Sequence, residues 1–363
     1  MKLRCSLCRR SYPIHTQEWR CECGGVFELE GTAPFSREEV RPDVPTLWRY
    51  RALLPVDDDE DVVSLGEGLT PLVQIRISER SVLCKLEFLA PTGSFKDRGT
   101  AVLVSVLRGL GVEEVVEDSS GNAAASLAAY CANAGMHARI FVPAHASPAK
   151  LAQITVYGAE VVRVEGPREN AALAAQEAAR NSYYASHSYN PFFVQGTKTF
   201  AYELWEHLGE GAPDNLVVPL GNGSLLMGAS LGFTELQAAG LVERMPRLIA
   251  VQANACAPFY EAYRQGLEHV PPVLPGETIA EGIHVAHPTR GRQVLRAIRA
   301  TGGAIVAVDD NETLEARNML ASKGLYVEPT SATAVAALRR LDGLIARHDV
   351  TVLALTGSGL KSP

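Results

Sequence analysis

The sequence lacks the features that would place the protein in a membrane or on nucleic acid. Its 363 residues contain no run of about 18 or more apolar residues, the length needed to span a bilayer. Residues 1–15 lack the apolar stretch of a secretory signal peptide. Acidic residues outnumber basic ones, 41 to 34, so the net charge of -7 provides no basic field that would attract polyanions. We expect a cytoplasmic protein with no membrane or nucleic-acid partner.

Cysteine is scarce, and its distribution excludes a secreted disulfide framework. Of seven cysteines, four cluster near the start and three are scattered. The cluster has two pairs separated by twelve residues, Cys5 with Cys8 and Cys21 with Cys23. This spacing brings four thiolates around one tetrahedral zinc, which would order a segment too short to form a hydrophobic core. We predict a structural zinc ribbon without a catalytic role; the alternative is a degenerate ribbon that no longer holds metal.

The chain has no internal repeat or low-complexity segment, and 47% of its residues are hydrophobic, enough to form a large two-lobed core. Short β-branched runs alternate with alanine-rich stretches, as in residues 112–117 followed by 123–135. This alternation predicts βαβ units around parallel sheets. Other predicted strands lie at 160–164, 216–219, 247–252, 304–308 and 350–355.

We therefore predict an α/β fold with two lobes and an N-terminal segment that resembles a zinc ribbon. Ligands are expected in loops at the carboxyl ends of the strands. The predicted domains are residues 1–30 for the ribbon-like segment, 31–85 with 188–363 for a large α/β domain, and 86–187 for a small α/β domain.

A lysine occupies a turn of small residues just before an apolar helix. The segment PTGSFKDRG, residues 91–99, contains Lys96, and the helix is predicted to begin near Thr100. Burial disfavours an ammonium ion, and the neutral amine can attack a carbonyl to form a Schiff base. Taken alone, this pattern is more typical of a surface lysine at a helix start.

A second segment joins a predicted strand to an alanine-rich helix. It reads Ser119-Ser120-Gly121-Asn122-Ala123. The N–H groups at the start of a helix have no intrahelical partner and favour an anion such as a carboxylate, to which the two serine hydroxyls would also donate. The amide of Asn122 can bond a phenolic oxygen on a cofactor ring. The alternative is an ordinary helix cap and turn.

Two further turns follow predicted strands. One is rich in glycine and leads into a helix, a geometry that makes a cradle of N–H donors for a phosphate group. The other, TGSGLK at 356–361, places the hydroxyl of Thr356 where it can face a ring nitrogen. Either turn alone is also compatible with an ordinary strand end. The residues of the glycine-rich cradle are Gly221, Asn222, Gly223, Ser224 and Leu225.

Together and in this order, the four segments resemble the fold-type II enzymes that use pyridoxal 5'-phosphate (PLP), to which tryptophan synthase β belongs. Within these enzymes the chain is most similar to the threonine synthase family, and the resemblance spans nearly the whole chain. Besides the cysteine segment, the shared motifs are GEGLTPL at 66–72, PTGSFKDRG at 91–99, NP at 190–191, GTKT at 196–199, EPTSA at 328–332 and TGSGLK at 356–361.

The resemblance implies the reaction and a role for each segment. The family converts O-phospho-L-homoserine and water to L-threonine and phosphate, and a homodimer is expected. Lys96 would form the Schiff base with PLP and move protons, Asn122 would bond the PLP 3'-oxygen, and Thr356 would face the pyridine nitrogen. The large domain would bind PLP, with residues 221–225 around its phosphate. Substrate binding would involve Ser119, Ser120, Ala123, Asn190 and Lys198.

One departure from the family concerns the anionic leaving group. Many threonine synthases have NPYR where this chain has NPFF, so Phe193 stands in place of an arginine suited to phosphate. Lys198, Arg98 or an arginine in residues 289–292 would then have to supply that contact. Two alternatives stay open. One is another PLP lyase or replacement enzyme, such as a threonine or serine dehydratase or a cysteate-synthase-like enzyme; the other is a regulatory protein on the same fold.

Overall fold

The computed structural model describes residues 1–146 and 148–361. In this part of the chain no helix is long and apolar enough to cross a membrane. The strands are β1 (Lys2–Cys5), β2 (Ser11–Tyr12), β3 (Phe27–Glu30), β4 (Leu72–Ile77), β5 (Arg80–Lys85), β6 (Glu114–Glu117), β7 (His137–Pro143), β8 (Glu160–Val164), β9 (Tyr183–Tyr184), β10 (Asn215–Pro219), β11 (Arg247–Ala253), β12 (Ala304–Val308) and β13 (Thr351–Ala354). The helices are α1 (Lys96–Gly109), α2 (Asn122–Ala134), α3 (Pro148–Val156), α4 (Arg168–Ala178), α5 (Pro191–Thr197), α6 (Thr199–His207), α7 (Ser224–Ala238), α8 (Pro258–Arg264), α9 (Gly291–Ala300), α10 (Asp310–Ser322) and α11 (Pro329–Ala336).

The alternation of strands and helices predicted from the sequence is confirmed. β8 and β12 have the predicted bounds, and the other predicted strands differ only at their ends. The main difference concerns α1, which begins at Lys96 rather than near Thr100. The lysine is therefore the first residue of the helix instead of part of the preceding turn.

The chain divides into two compact units. The first comprises residues 1–68 and 96–197, and the second comprises residues 69–95 and 198–363. The contacts place residues 31–68 in the first unit, because Leu47 and Trp48 belong to the same hydrophobic core as α1 and α2. The three-part division from the sequence, with its boundaries after residues 30, 85 and 187, stays a prediction.

The first unit is built on a parallel sheet with the strand order β8-β7-β6-β9. Helix α1 approaches α5 very closely: a Cβ on Gly196 would lie 2.0 Å from the backbone oxygen of Arg98. Only glycine permits this approach of two backbones. The contact sets the position of α1 within the unit, and so that of Lys96 at its start.

Residues 1–30 lie in the first unit and form a small antiparallel sheet with the order β2-β1-β3. Trp19, in the loop before β3, packs edge-on against Tyr184 and Tyr189, with ring centroids 5.1 and 4.7 Å apart. Aromatic pairs prefer this edge-to-face arrangement. The contact attaches the cysteine-rich segment to β9 of the parallel sheet.

The second unit contains a sheet with the strand order β12-β11-β10-β13-β5-β4, in which only β4 runs antiparallel to its neighbour. Val217, Ile249 and Leu353 are completely buried in its core. Strands β10 and β13 are parallel neighbours, so their carboxyl ends lie at the same edge. The glycine-rich turn and the turn at Thr356 both begin at this edge.

A buried ion pair crosses the second unit. Lys85 ends β5, and its Nζ donates to Glu203 Oε2 of α6 at 2.8 Å, with both side chains completely buried. The other carboxylate oxygen accepts from the N–H of Leu69 at 2.8 Å. Because Leu69 lies within the GEGLTPL motif, the pair anchors this loop to the sheet.

Replacing Glu203 with alanine should lower the free energy of unfolding by about 3–5 kcal/mol, because the buried ammonium of Lys85 would lose its counter-charge. Urea unfolding followed by circular dichroism measures the change. The control is Glu79→Ala, which breaks the exposed pair of Glu79 and Arg347 and should leave the unfolding curve almost unchanged. Equal losses in the two variants would contradict a special contribution of the buried pair.

Candidate functional site

The loop before Lys96 is joined to the loop after β13. Phe95 donates its N–H to the backbone oxygen of Thr356 at 3.0 Å, and Ser94 forms an antiparallel bridge with Gly357. Ser358 also donates its N–H to the backbone oxygen of Gly93 at 2.9 Å. These bonds tie residues 93–95 to the loop after β13, and α1 begins at the next residue, Lys96.

The start of α1 is also fixed relative to the start of α2. Asp97 is completely buried and accepts a hydrogen bond from Ser126 Oγ of α2 at 2.7 Å. Lys96 and Asn122 are the first residues of these two helices. Lys96 is half-buried, and its Nζ lies 5.9 Å from the centroid of the Phe193 ring. The Asp97–Ser126 bond therefore holds Lys96 and Asn122 in a defined relation.

Residues 119–123 form the turn from β6 into α2, as predicted from the sequence. Ser119, Ser120 and Asn122 are half-buried, and the N–H of Gly121 donates to Ser119 Oγ at 3.3 Å. Ala123 is buried in the first turn of the helix. The start of a helix carries partial positive charge. The turn can thus receive a carboxylate, although its role in binding substrate stays a prediction.

The glycine-rich turn connects β10 with α7 in the second unit. A Cβ on Gly221 would lie 3.0 Å from the backbone oxygen of Gly282, and Gly223 has a φ of +85°. Ser224 and Leu225 begin α7, and Asn222 is half-buried. A side chain would be crowded at Gly221 and strained at Gly223, and the N–H groups of this turn can serve a phosphate.

The turn after β13 contains Thr356. Its side chain is buried, and its Oγ1 lies 3.1 Å from Ser331 Oγ. Ser331 Oγ also accepts from the N–H of Gly357 at 2.7 Å, which fixes the backbone beside the threonine. Because hydroxyls both donate and accept, Thr356 can still serve a ring nitrogen.

Two residues predicted to bind substrate have partners within their own units. Asn190 is buried, with its amide donating to the Tyr183 hydroxyl at 2.9 Å and its oxygen accepting from the Phe192 N–H at 2.8 Å. Lys198 is completely buried and donates to Glu235 Oε1 at 3.0 Å. Burial lowers the pKa of Lys198. The polar groups of Asn190 and Lys198 are thus bonded to other residues of the protein. Their roles in binding substrate stay predictions.

The four clustered cysteines lie together at the start of the first unit. Their Sγ atoms are all within 4.8 Å of one another, and they belong to Cys5, Cys8, Cys21 and Cys23. Four thiolates around zinc at about 2.3 Å would be separated by about 3.8 Å, which fits this spacing. A hydrogen bond from the Tyr12 hydroxyl, followed by one from the Cys23 backbone, lowers the pKa of the Cys21 thiol to about 6. The cluster is suited to a tetrahedral metal ion.

Sequence comparison identifies the family. Residues 63–357 match the model of the pyridoxal-phosphate dependent enzymes. The chain is 38% identical to the threonine synthase of Methanocaldococcus jannaschii, over 100% of this chain and 93% of that protein. It is 35% identical to the threonine synthase of Mycobacterium tuberculosis H37Rv, over 86% of this chain and 88% of that protein. The chain belongs to the threonine synthase family of PLP-dependent enzymes.

Solved structures agree with this family at the level of the fold. The L-serine ammonia-lyase of Rhizomucor miehei superposes with a TM-score of 0.71 at 22% identity, covering 80% of this chain and 94% of the other. The serine racemase of Dictyostelium discoideum gives a TM-score of 0.68 at 22% identity, covering 80% and 92%. The prediction of a fold-type II α/β enzyme is confirmed.

The residues present fit the family's cofactor, PLP. The amine of Lys96 can react with its aldehyde, and the turn at Gly221 offers N–H groups where a Cβ would collide with Gly282. Among the described residues, Ser94 Oγ is completely buried without a hydrogen-bond partner, two residues before Lys96. A polar ligand beside Lys96 would satisfy that hydroxyl.

Two residues near Lys96, Glu117 and His187, were not predicted from the sequence. Glu117 ends β6, and His187 precedes the NP motif; the His187 Nδ1 lies 2.7 Å from Glu117 Oε1. The available sign was an acidic residue directly after the two buried valines of β6, Val115 and Val116. Its partner lies 70 residues away, and no local pattern indicates such a pairing.

Proposed function

We propose that this enzyme converts O-phospho-L-homoserine and water to L-threonine and phosphate with PLP as cofactor. The observation that carries the proposal is the likeness to a threonine synthase over the entire chain, including the cysteine-rich segment. The lysine, the two N–H-rich turns and the threonine turn follow strands or begin helices as this chemistry requires.

The role proposed for each cofactor-binding residue follows the family resemblance. Lys96 would hold its aldehyde carbon, the amide of Asn122 would bond its 3'-oxygen, and the N–H groups of residues 221–225 would bind its phosphate. The hydroxyl of Thr356 would face the ring nitrogen, which a hydroxyl leaves largely unprotonated. When bound, PLP stabilises negative charge at the substrate carbon from which a proton is removed.

The substrate would be oriented by its carboxylate. The start of α2 offers partial positive charge, and the Ser119 and Ser120 hydroxyls with the N–H of Ala123 would hold the carboxylate there. Lys96 would then carry protons to and from the α and β carbons as phosphate leaves the γ carbon and water adds at the β carbon. Asn190 and Lys198 would complete the substrate side of the site. Phe193 contributes no charge for the leaving phosphate.

The reaction can be tested with the purified, PLP-loaded protein and O-phospho-L-homoserine, measuring phosphate and threonine together. Equal yields of the two products are expected. Phosphate with 2-oxobutyrate in place of threonine would show elimination without water addition and would identify a lyase of the dehydratase type. No reaction with this substrate would refute the proposed activity.

We also propose that the cysteine cluster binds one structural zinc ion, that the enzyme is a homodimer and that it works in the cytoplasm. The Sγ positions support the zinc, and the family resemblance supports the dimer. The biosynthetic reaction supports the location. Light scattering coupled to gel filtration should give twice the mass of one chain; the mass of a single chain would refute the dimer.

A further inference from the structure

A buried histidine and carboxylate lie together in the first unit. Glu117 ends β6 with only 2% of its surface exposed, and its Oε1 lies 2.7 Å from His187 Nδ1. The backbone N–H of His187 points at the same oxygen at 3.4 Å. An ionised carboxylate only accepts hydrogen bonds, so the Nδ1 of His187 carries the proton. The two residues form one unit, the Glu117–His187 pair.

The ring of Phe193 connects the Glu117–His187 pair with Lys96. The imidazole of His187 meets this ring in an edge-on contact with centroids 5.9 Å apart. Lys96 Nζ lies 5.9 Å from the same ring centroid. A cation near an aromatic face is attracted by it. The charge of Lys96 also opposes the burial that raises the pKa of Glu117, so the carboxylate lies within electrostatic reach of the Lys96 nitrogen.

The charges around the pair favour one ionic form. Burial raises the pKa of Glu117 to about 7, with the His187 backbone N–H and the charges of Lys96 and Arg168 opposing the rise. Burial lowers the pKa of His187 well below its ordinary value, and the charge of Lys96 lowers it further. Above neutral pH, the pair therefore carries one negative charge on Glu117 and a neutral imidazole.

Other titratable groups also face the Glu117–His187 pair. The carboxylate of Asp118, whose pKa is raised by burial, accepts from the Tyr184 hydroxyl of β9 and from Arg168 Nη1 of α4. Burial raises the pKa of Tyr184 and of Cys131, the α2 thiol that faces Glu117, so both are neutral at working pH. Arg168 forms an ion pair with Asp118 at 3.4 Å, and its charge also opposes the rise in the pKa of Glu117.

We propose that Glu117, held in place by His187, is the counter-charge of Lys96 and sets the pH at which the Lys96 nitrogen releases its proton. Glu117 is thus a positioning residue for the proton that Lys96 carries. The inference rests on the proposed role of Lys96 in holding PLP, but not on the identity of the amino-acid substrate.

The test is a pH titration of the visible absorption band of the PLP-loaded protein between about pH 7 and 10, where Glu117 is ionised. Removing a nearby negative charge disfavours the protonated nitrogen. Glu117→Gln, which keeps the size and an acceptor for His187, should move the midpoint to lower pH by about one unit, a tenfold change in proton affinity. The proposal would be overturned if wild type and variant had the same midpoint. It would also be overturned if the absorption of neither protein changed with pH.

Two variants of His187 separate charge from packing. His187→Gln keeps a donor to Glu117 and should titrate like the wild type. His187→Leu removes the donor, so the buried carboxyl would stay protonated and the midpoint should move as in Glu117→Gln. If Glu117→Gln does not fold, this comparison decides alone, and equal midpoints in the two variants would overturn the proposal.

A wild-type protein without a visible band would refute the role of Lys96 and this inference, whereas failure on O-phospho-L-homoserine alone would refute only the proposed reaction.

Discussion

Replacing Lys96 with alanine should reduce the formation of threonine and phosphate by about 10³-fold or more, because one substitution removes both the amine that we propose to hold the cofactor and the group that we propose to carry protons. We expect no other lysine to replace Lys96. Lys96 is placed by the bond from Phe95 to Thr356 before it and by the Asp97–Ser126 bond after it. The two buried lysines of the part of the chain that the structure describes, Lys85 and Lys198, are paired with glutamates.

The measurement is kcat with O-phospho-L-homoserine in the presence of excess PLP, together with the absorption spectrum. Reduction of the wild type with borohydride should add the mass of the cofactor to the peptide that contains Lys96, and the variant should gain none. Lys323→Ala is the matched control, because Lys323 is exposed at the end of α10. Full activity in Lys96→Ala, or cofactor attached to a different lysine, would contradict the assignment.

Removing the metal from the cysteine cluster should unfold residues 1–30 while leaving the rest of the first unit folded. Zinc contributes roughly 10–16 kcal/mol to the folding of zinc-finger peptides, and this short segment has little apolar core of its own. Cys21→Ala should lower the zinc content from about one ion per chain to none, because three thiolates leave the tetrahedral shell open. Elemental analysis measures the metal, and hydrogen exchange of β1 and β3 measures the local order.

The matched control is Cys256→Ala, which removes a buried cysteine that lies outside the cluster. It should retain the zinc and the exchange protection of β1 and β3. The contact of Trp19 with Tyr184 and Tyr189 gives a second readout, since its fluorescence should change only when the segment unfolds. Wild-type protein that contains no zinc and still protects β1 would show a ribbon that folds without metal.

The sequence predicted the local elements well because the information for them is local. The β-branched runs of β8 and β12 were found with their bounds, and the turns at Gly221 and Ser119 were placed at strand-to-helix junctions. The beginning of α1 was predicted about one turn too late. Nothing near Thr100 shows that Ser94 and Phe95 are bonded to the distant loop at Thr356.

In the candidate site, the residues in local motifs were predicted from the sequence, whereas the pairings between distant residues were not. Lys96, Asn122 and the glycine-rich turn stand out because each must occupy a turn or a helix start. The pairing of Lys198 with Glu235 was not foreseen, since a buried lysine and an exposed one look alike in a sequence. The contact of Trp19 with Tyr184 of β9 was not predicted from the sequence either.

The sequence by itself determined the strand and helix pattern, the four clustered thiols, the lysine at the start of α1 and the N–H-rich turns, because each depends on residues within a few positions of one another. Tertiary structure alone decided which buried charges meet. Lys85 pairs with Glu203, which is 118 residues away in the sequence, and Glu117 pairs with His187, which is 70 residues away. Such pairs form because a buried charge is costly without a partner, and which partner is available depends on how the sheets and helices pack.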